Sequence, residues 1–251
     1  MDQTENEAST IEDTVVATAG AFTEIARSLF LADSLQHTLK TAVDLCVVTI
    51  EACELAGALL FEGGAISARV GSDPVVDEID AIQVRTGEGP CLDAIVRRLP
   101  FYADELGADA RWPNFAPAAA ARGIRSLLAL PMAADGTWGA INLYARYPQA
   151  FGVIDRARGL LLASMAGFAC ATARSHEDEK RLAENLHTAL VTRELIGQAQ
   201  GILIERERIT GDQAFHILRQ ASQHLNIKLR EVAQDLVDTG QRPDTGSPTS
   251  S

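Results

Sequence analysis

Cysteine, aromatic residues and positive charge are all scarce in this 251-residue chain, and each scarcity removes a class of protein. Its four cysteines (Cys46, Cys53, Cys91, Cys170) form no CxxC pair, and none has a histidine at metal-ligand spacing. Neither a disulfide framework nor a zinc site is expected, and reduced thiols are. Lys and Arg total 22 against 34 Asp and Glu, a formal charge of −12, so the whole molecule repels polyanions and any nucleic-acid site has to be local. Uncharged runs are short and broken by Gly and Ala. No membrane span or secretory signal is read, which makes the cytoplasm the expected location. Catalytic signatures are missing too: there is no GxxxxGK[ST], HExxH or GxSxG, and Gly87-Glu88-Gly89 is followed by Leu92 where a dinucleotide turn needs a third glycine. Neither an enzyme nor a cofactor is expected.

What the chain does have is apolar material, 47% of its residues, enough to bury the core of one large domain or two small ones. Residues 1–13 carry five acids and no base, and 240–251 are rich in Gly, Pro, Ser and Thr; both read as disordered tails. From Thr14 to Ile50, apolar residues recur at helical spacing (Phe22, Ile25, Leu29; then Leu35, Leu39, Val43), with Ser34 as an N-cap, which predicts two helices. Next come short runs with turn punctuation. Ala56–Phe61 and Ala65–Val70 flank Gly63-Gly64, and Ser126–Ala133 and Thr137–Tyr144 flank Asp135-Gly136, which predicts two antiparallel hairpins. Short helices are expected at Asp73-Pro74, after Pro90, and from Pro113 to Gly123. Together these elements make an α+β domain over 14–175, an antiparallel sheet flanked by helices.

No proline occurs from Gln149 to Gln241, and a helix is expected to start at Asp155. Leu182, Leu186, Ala189, Ile196 and Leu203 fit a coiled-coil seam, although Arg193 and Gln200 on the same stripe suit a solvated linker helix as well. Thr210-Gly211-Asp212-Gln213 is a capping box before the stripe Ala214, Ile217, Leu218, Ala221 and Leu225. Asn226 suits a left-handed helix end, and Leu229, Val232, Ala233, Leu236 and Val237 complete a buried face that stops at Gly240. Residues 176–239 thus read as a linker helix leading into a three-helix bundle.

Three groups of residues can carry function. Cys91 follows Gly-Pro at a helix start, where the dipole favours thiolate and oxidation; a buried packing residue is the plainer reading. Eight of the thirteen aromatic residues lie between Phe101 and Phe151. Phe61, Trp112, Phe115, Trp138 and Tyr144, with Arg125 and Asn142 as polar anchors, can line a pocket for a small-molecule effector, or the aromatics can simply be core. The bundle from Arg193 to Arg230 holds six bases and four acids, a net of +2 in a −12 chain. Phe215 is its only aromatic, so broad base stacking is not available.

Two stretches carry a resemblance. Thr86 to Ala94 (TGEGPCLDA), Asp109 to Phe115 (DARWPNF), Gly123 to Ser126 and Trp138 to Tyr144 (WGAINLY) resemble GAF sensor domains. Ile196 to Val237, with Ala-x-Gly, Ala-Phe-x-x-Leu-Arg-x-x-Ser and Asn-x-Lys-Leu-x-x-Val-Ala, resembles an ANTAR domain, and the whole chain is similar to actinobacterial GAF–ANTAR regulators. The resemblance implies that the bundle binds RNA hairpins and controls transcription antitermination or translation initiation; the GAF core and the Glu177–Leu203 helix are expected to form a homodimer that sets the spacing of two bundles on two hairpins. The resemblance places Ala199, Gly201, Arg219, Ser222, Asn226 and Lys228 at the RNA. A second reading makes the bundle a protein-docking module with no RNA contact, its charge incidental.

Overall fold

The structure, a computed structural model, describes Gly20 and residues 23–134 and 137–244. The expected tail at 1–13, the Asp135-Gly136 turn and the tail residues from 245 onward lie outside the described residues. The chain divides into two compact units, the first ending at Glu177 and the second beginning at Asp178.

In the first unit, a helix at 23–30 (α1) precedes α2 (Leu35–Thr49), whose N-cap Ser34 accepts from the His37 amide. Strands β1 (Leu55–Glu62) and β2 (Ala65–Gly71) are joined at Gly63 and Gly64, both at positive φ as a two-residue turn requires. Two helices follow, α3 (Pro74–Thr86) behind N-cap Asp73 and α4 (Pro90–Arg97). Then come β3 (Phe101–Ala103), a 3₁₀ turn at Leu106–Ala108, α5 (Ala116–Ala120), β4 (Ser126–Ala134) and β5 (Thr137–Ala145). The strands form one antiparallel sheet in the order β2-β1-β5-β4-β3.

Period-two alternation sorts the strand residues onto two faces. Ala58, Leu60, Leu128, Leu130, Ile141 and Leu143 pack on α2 and the start of the next long helix. Leu59, Leu127, Ala129, Ala140 and Tyr144 pack on the layer of α3, α4 and α5. Pro131 is tolerated in β4 because β3 pairs only with Leu127–Ala129, leaving β4 an edge where proline has no amide to offer. The helix expected from Pro113 is shorter than its pattern, only Ala116–Ala120, because Trp112 to Asn114 are drawn into a turn held by Glu88.

Helix α6 (Val153–Glu207) continues past the end of the first unit into the second, where it is followed by α7 (Gly211–Leu225) and α8 (Leu229–Thr239). The capping box at Thr210 and Gln213 is formed, Asn226 and Gly240 end their helices at left-handed φ, and Ala199, Leu203, Ala214, Leu218, Ala221, Val232, Ala233 and Leu236 make the core. Leu203 is sealed in that core and Ile196 packs against it, so the expected coiled-coil seam cannot run to its end. Its free members are Leu182, Leu186 and Ala189, all exposed.

A Cβ added at Gly139 would stand 2.3 Å from the Leu59 carbonyl oxygen and 2.6 Å from Leu60 Cδ2. Gly139→Ala is therefore expected to cost about 2–3 kcal/mol by forcing β1 and β5 apart, which urea unfolding of the full chain measures directly.

Candidate nucleic-acid interface and sensor core

On α7, Arg219, Ser222 and Asn226 recur at intervals of three and four residues and so share one helix face; Lys228 stands at the N-cap of α8, two residues beyond Asn226. Arg219 and Lys228 are both exposed. Among the described residues neither has an ion-pair partner, and the same holds for Arg193, Arg208 and Arg230. The sixth base of the bundle, Arg206, is spent on the Gly240 carbonyl at the end of α8. Among the described residues, unpaired arginines also occur in the first unit (Arg69, Arg85, Arg98, Arg146 and Arg158), beside seven that are paired with carboxylates, so what distinguishes the α7–α8 region is its lack of acids. Residues 213–230 contain no acid.

The other four expected RNA residues behave differently from one another. Ala199 is fully buried in the bundle core and cannot touch a partner. Gly201 is exposed, and a methyl group added at its Cα would meet nothing within 4 Å, so no helix packs on it. The Ser222 hydroxyl donates to the Ile227 carbonyl at 2.7 Å, and the Asn226 backbone, at φ 54°, donates to the Ser222 carbonyl; both residues build the turn that presents Lys228.

In the sensor unit the expected pocket residues separate into two environments. Trp112, Phe115, Asn142 and Tyr144 are buried beneath the sheet, and Phe61 packs against them. Arg125 lies at the surface in an ion pair with Glu105, and Trp138, opposite Phe61 in the β1–β5 register, has the Arg98 guanidinium 3.7 Å from its ring centroid. Sequence reasoning missed Asp80. It is buried on α3, and its Oδ1 accepts from Tyr144 Oη at 2.8 Å, Asn142 Nδ2 at 3.2 Å and Gln83 Nε2 at 3.3 Å. Asn142 Oδ1 in the same cluster has no hydrogen-bond partner. The only hint in the sequence was an acid at a position that the α3 pattern assigns to the core.

The ANTAR domain model matches residues 184–237, and the GAF domain model matches residues 32–171, over half of the chain. The chain is a GAF–ANTAR protein. Its first unit is similar in fold to the GAF domain of a phosphoenolpyruvate-protein phosphotransferase from Coxiella burnetii, with 16% identity and a TM-score of 0.50 over 62% of this chain and 94% of that one. The corresponding Acinetobacter domain gives 14% identity and 0.49 over 63% and 95%, and a free methionine-R-sulfoxide reductase from Neisseria meningitidis 13% and 0.45 over 61% and 88%. No curated protein matches. GAF and ANTAR are regulatory domains, and the chain is a regulator with a sensor unit.

Within the GAF–ANTAR protein the sensor motifs hold one another. Glu88 accepts from the Asn114 amide at 2.8 Å, from its side chain, and from the Phe115 amide, capping the entry to α5. Asp93 accepts from the Trp112 indole at 2.9 Å, and Arg111 bridges Asp109 and the Tyr102 carbonyl. The backbone amide of Asn114 first, then its side chain and the Phe115 amide, hold the Glu88 carboxyl below the usual carboxylate range. Cys91 is corrected in direction: burial, and then the Asp80 carboxylate, raise its thiol pKa and outweigh the helix start, so it stays protonated and sealed rather than reactive. Its backbone amide donates to Gln83 Oε1.

Burial pushes the Asp80 carboxyl up to about 6, against the lowering effect of the Tyr144 and Asn142 hydrogen bonds. A carboxyl raised in the folded state contributes stability that is complete below its unfolded pKa near 4 and is lost as pH rises through about 6. Asp80→Asn keeps an accepting oxygen for Tyr144 and cannot ionise. Between pH 4 and pH 7 the native protein should lose on the order of 2 kcal/mol more than this variant, as read by urea unfolding at both pH values.

Proposed function

We propose that this regulator binds RNA hairpins through its ANTAR bundle, under control of its GAF unit, and so governs transcription antitermination or translation initiation. The observation that carries this reading is the set of exposed, unpaired cations around the α7–α8 turn, Arg219 and Lys228 foremost, in an acid-free stretch of a chain whose net charge is −12. Cations left without carboxylates, in a stretch that holds no acid, are available to phosphates. Arg219 takes the forked contact and Lys228 the point contact, while Gly201 leaves room for close approach of the backbone.

The same reading makes the molecule a homodimer. Leu182, Leu186 and Leu190 are exposed along α6, and no surface among the described residues covers them. A second copy of this helix is the simplest cover, and it brings two bundles to two hairpins. The sensor unit takes an unidentified small-molecule effector, and the buried polar cluster of Asp80, Gln83, Asn142 and Tyr144 gives it a polar interior to respond with.

Phosphate contact has a salt signature. Hairpin affinity should fall steeply with rising salt, and Arg219→Ala with Lys228→Ala should remove most of it and flatten the slope of log affinity against log salt by close to two contacts. Unchanged affinity in the double variant would move the site elsewhere. Affinity insensitive to salt would favour the protein-docking reading. Light scattering on the RNA-bound protein reads the oligomeric state in the same samples, and a monomer at every concentration would remove the dimer from the proposal.

A further inference from the structure

Phe215 is the only aromatic residue after Phe168, and it lies outside the core of its own bundle. That core is built from alanine, leucine, isoleucine and valine, while the largest apolar side chain of the second unit is 40% exposed. Burying a phenylalanine is worth more to folding than burying any of those residues, so the folding of the bundle does not account for where this ring sits.

Its position on α7 does account for it. Arg219, Ser222 and Asn226 follow Phe215 at four, seven and eleven residues, and all four therefore lie along one face of the helix. Arg219 has no ion-pair partner among the described residues, and no acid occurs between Phe215 and Lys228. A ring 40% exposed, one helical turn from a free guanidinium and on an acid-free face, offers a flat apolar surface beside a hydrogen-bond donor for phosphate. A nucleotide presents the same two elements together, a planar base and a phosphate. The base has to be unpaired, because a base inside a duplex already has both of its faces stacked.

Building on the RNA-binding reading above, we propose that Phe215 is a stacking platform for one unpaired base of the bound RNA, with Arg219 on the adjoining phosphate. The apolar pocket of a protein partner is the rival occupant, but it gives no role to the free cation beside the ring.

The full chain is tested against two RNA probes: a pool of hairpins with randomised loops, and the same stems closed as uninterrupted duplexes. Phe215→Leu preserves apolar volume at an exposed position, and Phe215→Tyr preserves the ring; circular dichroism melts confirm that both variants fold. Phe215→Leu should weaken loop-hairpin binding about tenfold, the effect of one stacked base, leave duplex binding unchanged and leave the salt slope intact. Phe215→Tyr should bind as the native chain does. Equal hairpin affinity for the native protein and Phe215→Leu overturns this inference and leaves the RNA-binding reading standing. Equal losses on hairpin and duplex overturn the stacking role as well. A native protein that binds neither probe overturns both readings together.

Discussion

A sheet covered on both faces has no side on which a polar residue is free, and that constraint organises the sensor unit. Each of β1, β4 and β5 alternates between a layer of long helices and a layer of short ones, so every position is set by packing. Where β1 and β5 come closest, Gly139 leaves out the side chain that would separate them. On the short-helix side, α4 and α5 are too brief to be stable through their own ladders. They persist because Glu88 and Asp93 bind across to the segment around Trp112. The residues that carry the family likeness in this region are thus mostly cross-links between loops.

The two units differ in the polarity of their interiors. In the sensor unit the one buried carboxyl among the described residues, Asp80, is satisfied by three neutral donors on a single oxygen. Burial of an acid held this way, without a cation, moves its change of protonation state up to about pH 6. In the bundle, by contrast, the core is wholly apolar, and Arg219 and Lys228 are left to solvent. A polar interior suits a unit that has to change; a dry core with free charge outside suits one that has to hold a fixed surface toward a partner.

Most of this architecture was legible in the residues. Gly63-Gly64, Ser34, the Thr210 box, Asn226 and Gly240 each act through their own backbone or an immediate neighbour, so local chemistry suffices to place them. The short α5, the strand β3 and the occupied face of Leu203 were not legible, since each depends on partners distant in sequence. Functional residues followed the same rule. Exposure of Arg219 and Lys228 follows from their helix patterns, whereas the burial of Ala199 and the bond that occupies Ser222 appear only once α6, α7 and α8 are packed together. Asp80 gave almost no signal, because a lone acid in an amphipathic helix reads as solvated until its surroundings are known.

The unpaired cations of the bundle also shape the tempo of encounter. At an ionic strength near 0.01 M the field of a −12 molecule reaches about 30 Å, and an approaching polyanion meets repulsion before it meets Arg219. Near 0.15 M that reach contracts to about 8 Å, and the local patch governs the last step of approach. Association should therefore be fastest at intermediate ionic strength, a bell-shaped dependence that a uniformly basic binding protein would not show.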